Sequence, residues 1–73
     1  MKTEGQALDQ MTGAANALIA TPHALLAADE REVLWDMLKC AQAAFYREDF
    51  VGAVMWASGV HRIINDAAAR ANA

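Results

Sequence analysis

The two-residue break at Arg47 and Glu48 is the feature that most restricts what this chain can fold into. Before it, apolar residues recur at three- and four-residue spacing from about residue 29 to 46, and after it the same spacing continues to about residue 69. This is the spacing of one helix face. Two residues between helices allow only a tight reversal, and Asp49 is a good N-cap for the next helix. The sequence therefore predicts an antiparallel helical hairpin, with helices over about 29–46 and 50–69.

A weaker helix is predicted before the hairpin, over about residues 4–20. Its narrow apolar stripe consists of Leu8, Met11, Ala15, Leu18 and Ile19. Gly5 and Gly13 weaken this helix, so we expect a frayed or mobile start. Thr21 precedes Pro22 and ends the helix, because a residue before proline avoids helical angles. In a second interpretation, Thr21 caps a short new turn that begins at Pro22.

The start of the hairpin is acidic. Asp29 followed by Glu32 three residues later predicts a capping box that begins the helix. With Glu30 and Asp36 these residues form an acidic cluster. Capping and a solvated face are its simplest explanation. A second, sharper hypothesis is a patch that meets a basic surface on a partner, such as that partner's nucleic-acid site.

The chain of 73 residues is long enough for a single small domain, residues 1–73, with a marginal core. Much of its apolar content is alanine, and it has one proline and four glycines, so the expected class is all-α. Cys40 is the only cysteine, which excludes an intramolecular disulfide and is typical of a reducing compartment such as the cytoplasm. We expect self-association, as a dimeric helical bundle, to compensate for the small core.

Charge and composition disfavour several classes of function. The net charge is −3, and six scattered Lys and Arg residues form no basic patch, so we expect no direct nucleic-acid binding. The N-terminal residues MKTEGQALDQ are not a secretory signal, and no apolar run approaches the roughly 18 residues of a membrane span. His23, Cys40 and His61 match no zinc spacing, so we expect no metal or cofactor. A small bundle seldom encloses a substrate pocket, so we expect no enzyme.

An aromatic stripe lies outside the predicted core face of the first hairpin helix. That core face comprises Val33, Leu34, Met37, Leu38, Cys40, Ala41, Ala44 and Phe45. Trp35, Lys39, Gln42 and Tyr46 are spaced by four, three and four residues and form one line on a different side. We name these four residues the aromatic stripe. It faces helix 1 or the loop before the hairpin, a second copy of the chain, or another protein, in which Trp and Tyr would be anchors.

The second hairpin helix has more apolar surface than one neighbour can cover. Its apolar arc comprises Phe50, Ala53, Val54, Trp56, Ala57, Val60, Ile63, Ile64 and Ala67. Val51 and Met55 lie in the polar sector, where they are either singly exposed residues or a docking patch. A second copy of the chain is the simplest cover for the excess apolar surface. The predicted dimer contacts are Gly52, Ala53, Trp56, Gly59, Val60 and Ile63.

The segment AQAAFYREDFVGAV, residues 41–54, resembles the tight turn of a tetratricopeptide hairpin. The resemblance rests on a small residue, an aromatic residue, a tight turn, an Asp-aromatic step and then an alanine. It covers about a fifth of the chain, and an array of such repeats needs about three of them. The resemblance therefore implies hairpin geometry and nothing about a repeat array.

The function expected from these patterns is non-enzymatic binding to another cytoplasmic protein. We predict a regulator or inhibitor that docks through the aromatic stripe, Val51 and Met55. Small acidic helical chains of this kind include those that phages use against host regulatory proteins, and the abundant alanine is typical of GC-rich bacterial or phage genomes. The alternative is a small structural or chaperone-like subunit of a larger assembly. This expectation is an analogy of size and class.

Overall fold

The helices of this chain begin where side-chain oxygens accept the first free backbone N–H groups. In the computed structural model, which describes residues 3–72, α1 spans Glu4–Ala20, α2 spans Ala28–Tyr46 and α3 spans Phe50–Ala71. The expected all-α class and the three expected helices are confirmed, with bounds that agree to within about two residues.

The first helix is continuous from end to end, although Gly5 and Gly13 predicted a frayed start. Thr3 caps it by accepting a hydrogen bond from the Gln6 N–H at 3.2 Å, and the Gln6 side chain accepts one from the Thr3 N–H at 3.0 Å. This reciprocal pair is a capping box that satisfies two otherwise free N–H groups. At the other end, Thr21 leaves the helical conformation with ψ 125°, as its place before proline predicts.

The start of α2 differs from the prediction. The helix begins at Ala28 with Ala27 as its N-cap, and Glu30 accepts a hydrogen bond from the Ala27 N–H at 3.2 Å. The predicted cap, Asp29, lies inside the first turn and accepts from the Glu30 N–H at 3.0 Å. Since alanine has no side-chain acceptor, only the Glu30 half of a capping box forms. The predicted pairing of Asp29 with Glu32 was therefore wrong.

The turn between α2 and α3 is as tight as its length demands. Glu48 has φ 63°, in the left-handed region, and Asp49 donates its N–H to the Ala44 carbonyl at 2.9 Å. The Asp49 side chain then accepts the Gly52 N–H at 2.9 Å, which confirms Asp49 as the N-cap of α3. The chain therefore reverses direction and folds α3 back along α2.

Helix α1 packs across the α2–α3 hairpin and lies more extensively against α3 than against α2. The larger core cluster comprises Ala14, Leu18, Leu26, Leu34, Leu38, Ala57, Val60 and Ala67. A second cluster nearer the hairpin turn comprises Ala7, Ala44, Ala53 and Val54, packed with Met11, Phe45 and Phe50. Many of these residues are alanines, so the helices lie close together around a small core.

Two residues of α2 lie outside the core in which the sequence placed them. Val33 is 55% exposed and Cys40 is exposed. Trp56, on the apolar arc of α3 and predicted as a dimer contact, is 42% exposed. Leu26 is fully buried although it belongs to the loop between α1 and α2, and the helical spacing did not select it. The core face of α2 is thus turned away from Val33 and Cys40, toward the side on which α1 packs.

The end of α1 is held by an arginine from the next helix. Arg31 donates from Nη1 to the Leu18 carbonyl at 3.3 Å and from Nη2 to the Thr21 carbonyl. The last turn of α1 has no basic residue of its own, so this guanidinium supplies the cation that a helix C-terminus favours. At the same end of the bundle, Arg70 of α3 pairs with Glu30 of α2 at 3.7 Å.

Candidate protein-docking surfaces

The aromatic stripe faces outward on α2. Trp35 is 40% exposed and Tyr46 is 74% exposed. The Gln42 amide donates to the Tyr46 hydroxyl at 3.3 Å, which joins the last two members of the stripe. Lys39 forms an exposed ion pair with Asp36 at 3.7 Å. Packing within the chain therefore leaves a large part of both aromatic rings accessible.

Helix α1 lies beside the stripe without covering it. Between the two helices is an open hollow of about 200 Å³. Its lining residues are Met11, Ala15, Trp35, Leu38, Lys39 and Gln42. We name it the α1–α2 groove. Of the three expected neighbours of the stripe, α1 is thus present along one edge, and the outer edge is open.

The α1 side of this groove carries further exposed apolar residues. Leu8 is 51% exposed and Ile19 is 69% exposed. At about 100° per residue, Leu8 lies about 20° and Ile19 about 40° from Ala15 on the helix wheel, so both extend the same edge of α1. The helical spacing predicted Leu8 and Ile19 in the narrow apolar stripe of α1, and in the structure both are exposed.

A second hollow lies on the other side of α2, where it meets α3. Its volume is about 380 Å³, and we name it the α2–α3 groove. It is lined by Met37, Gly52, Met55, Trp56, Gly59 and Arg62. A smaller hollow of about 350 Å³ continues from it along the outer side of α3, past Val54 and Ser58. The two exposed residues Val51 and Met55, at 50% and 69%, lie on this outer side.

The predicted dimer contacts separate into two groups in the structure. Ala53 and Val60 are fully buried by the chain's own helices, so the surface open to a second copy lies at the other predicted contacts. Ile63 is half-buried against the core. Gly52, Trp56 and Gly59 remain at the α2–α3 groove.

Charge is divided unequally between the helices. Together α1 and α2 contain six acidic and two basic residues, a formal charge of −4, whereas α3 contains one acidic and two basic residues, a formal charge of +1. Of the two basic residues, Arg31 is directed at carbonyls of the chain and Lys39 is paired with Asp36. The two helices that border the α1–α2 groove are therefore acidic in sum, and the charged residue in the groove lining itself is Lys39.

The side chains that could bind a metal ion or act as nucleophiles lie apart from one another. Within residues 3–72 no three His, Cys, Asp or Glu side chains come together in a way that could hold a metal ion. His61 lies against α1, where a β-carbon added at Gly13 would be 3.6 Å from its Nε2 atom. Cys40 is exposed on α2.

In the same described part of the chain, no helix has the length and apolar character needed to cross a membrane.

Comparison of the chain with protein-family models, with curated proteins and with solved structures finds no match.

Proposed function

We propose that this protein is a non-enzymatic regulator or inhibitor that binds another cytoplasmic protein through the aromatic stripe. The observation that carries this proposal is the position of Trp35, which lines the α1–α2 groove and is still 40% exposed. Trp and Tyr dominate the binding energy of protein interfaces when a partner buries them fully. In size and class this chain is analogous to the small proteins that phages use against host regulatory proteins.

The stripe combines an apolar anchor with polar groups that can orient a partner. Trp35 and Leu38 provide apolar surface in the groove, and the hydrogen-bonded pair of Gln42 and Tyr46 lies at its outer edge. Interfaces of this type have an apolar centre and a polar rim. Val51 and Met55 on α3 form a second exposed apolar patch, which we propose as an additional docking contact.

We also propose that two copies associate through the α2–α3 groove. Trp56 exposes 42% of its surface there, and Gly52 and Gly59 line the same groove. Burial of this surface would add to the stability of a chain that has a small core of its own.

The alternative function is a small structural or chaperone-like subunit of a larger assembly. Both functions use exposed apolar surface, but they differ in what the isolated chain does. An obligate subunit aggregates or unfolds when it is expressed alone, whereas an independent regulator folds and stays dispersed.

The stripe is tested by capture of partners from the native host with the immobilised full-length chain, followed by mass spectrometry. Trp35→Ala or Tyr46→Ala should weaken binding of the captured protein by more than about 1 kcal/mol, which is about fivefold in Kd. Val33→Ala is a matched control, because Val33 is an exposed apolar residue of α2 on the side away from the stripe. Helicity at 222 nm should be unchanged in all three variants. Loss of helicity in both stripe variants would show that these rings hold the fold together.

A further inference from the structure

Of the three helix pairs, α1 and α2 pack least extensively on each other. α1 lies more extensively against α3 than against α2, and the hydrogen bonds of Arg31 to Leu18 and Thr21 hold α1 and α2 together at one end. Away from that end the helices leave the α1–α2 groove between them. The groove runs from Trp35 to Gln42, two turns of helix or about 10 Å.

The shape of this groove suits side chains from a helix. Its floor is made by Met11, Ala15 and Leu38, and its volume of about 200 Å³ is below the roughly 300–1,000 Å³ of small-molecule sites. An amphipathic helix places apolar side chains at i, i+3 or i+4, and i+7, which covers the same two turns. Such a helix would also cover Leu8 and Ile19 on the α1 edge, which are otherwise exposed.

The net charge of α1 and α2 indicates which kind of partner helix the groove would bind. The two helices that form the groove have a formal charge of −4, and the only exposed cation on them, Lys39, is already paired with Asp36. Acidic helices on both sides attract a basic helix and repel an acidic one. A second copy placed with the same groove facing this one would bring two such acidic surfaces together, so self-association through this groove is disfavoured.

We propose that the α1–α2 groove binds an amphipathic helix of a partner protein, with an apolar face flanked by Lys and Arg, which packs as the fourth helix of a bundle. This inference rests on the proposed function and deepens it by naming the chemistry of the partner's contact. Apolar anchors occupy the groove between Ala15 and Leu38, and the flanking cations face the carboxylates of Glu32 and Asp36.

The test uses two synthetic 18-residue amphipathic peptides with the same Leu and Ala face, one with Lys and Arg at its polar positions and one with Glu. Each is titrated into the full chain carrying Trp56→Phe, so that Trp35 is the only tryptophan. The basic peptide should shift the Trp35 emission to shorter wavelength and bind at least tenfold more tightly than the acidic one. Raising the salt from 50 to 500 mM should weaken it several-fold.

Two variants locate the binding. Ala15→Phe fills the groove and should reduce the affinity for the basic peptide at least tenfold, whereas Ala43→Phe, at an exposed position of α2 outside the groove, should leave it unchanged. If Ala15→Phe does not fold, the double variant Glu32→Gln with Asp36→Asn, at exposed positions, tests the same binding site. This pair should weaken the basic peptide at least threefold, and Asp66→Asn on α3 is its control.

Three results would overturn the inference: equal affinity for the two peptides, binding of neither, or a basic peptide that binds both phenylalanine variants equally. Sedimentation of the chain alone tests whether a second copy of the chain occupies the α1–α2 groove instead. Self-association that shifts the Trp35 emission and is lost in Ala15→Phe would assign the groove to a second copy.

If Trp35→Ala loses a native partner but the basic peptide does not bind, the proposed function stands and the helix inference fails. If Trp35→Ala keeps that partner, the proposed function fails.

Discussion

Met37 of α2 places its terminal methyl group over Gly59 of α3, so close that a β-carbon at position 59 would lie 2.8 Å from it. The glycine is therefore the reason that this thioether can lie against α3 at the floor of the α2–α3 groove. Glycine in a helix costs about 1 kcal/mol relative to alanine. Here that cost is offset by the contact with Met37.

This contact predicts a specific coupling between the two positions. Gly59→Ala should stabilise the protein by no more than about 0.5 kcal/mol, because the helix gains propensity while Met37 is forced from its rotamer. In a Met37→Ala background the same substitution should stabilise by about 1 kcal/mol. Urea unfolding followed at 222 nm gives both values. Equal effects in the two backgrounds would contradict the assigned role of Gly59.

Two other helical glycines should respond in opposite directions to the same substitution. An added β-carbon at Gly13 meets only His61, at an ordinary contact distance of 3.6 Å, so Gly13→Ala should stabilise by about 1 kcal/mol. At Gly52 the β-carbon would overlap the Asp49 carboxylate that caps α3. Losing that cap costs up to about 2 kcal/mol, more than the helix propensity that alanine gains, so Gly52→Ala should destabilise by about 1 kcal/mol. Thermal unfolding of the two variants beside the parent chain measures the sign of each change.

Arg31 should be more important for the stability of α1 than its place on α2 indicates. Arg31→Met keeps an apolar stem but removes the hydrogen bonds to the Leu18 and Thr21 carbonyls, and should cost about 2 kcal/mol. Amide hydrogen exchange should show the largest loss of protection in the last turns of α1. Arg62→Met, at an exposed arginine of α3, is the control and should change stability little. An equal loss of amide protection in all three helices would show that Arg31 does not stabilise α1 locally.

The proposed dimer predicts a mass of two chains by sedimentation at tens of micromolar. A reducing agent must be present, because Cys40 is exposed and could form a disulfide between chains. Trp56→Glu should give a monomer by placing an unpaired charge in the α2–α3 groove. Leu8→Glu, at an exposed residue of α1, should leave the mass unchanged. A monomeric mass for the unmodified chain would reject the dimer.

The helices could be predicted from the sequence because their signals are local. Asp49 caps α3, Thr21 ends α1 before Pro22, and the Arg47–Glu48 break forces the reversal, each through contacts within a few residues. The start of α2 was misplaced for a related reason. Asp29 and Glu30 both offer carboxylates to the first turn, and spacing alone does not say which of them reaches back to the N-cap residue.

The buried residues were harder to predict, because a helix wheel gives a direction but not the position of neighbouring helices. Val33 and Cys40 fall on the apolar arc of α2, yet α1 packs on the opposite side of that arc and leaves them exposed. Ala53 and Val60 were assigned to a dimer contact, although α3 is covered there by the chain's own helices. Leu26 gave no helical signal because it lies in a loop.

The sequence by itself determined three helices, their order, the hairpin turn and the line of Trp35, Lys39, Gln42 and Tyr46 outside the core face of α2, because periodicity and capping act over a few residues. Only the tertiary structure decided that α1 lies closer to α3 than to α2 and leaves a groove beside that line. The physical reason is that packing depends on contacts between residues far apart in the chain. The hydrogen bonds of Arg31 to the end of α1 are an example, since no short stretch of sequence encodes them.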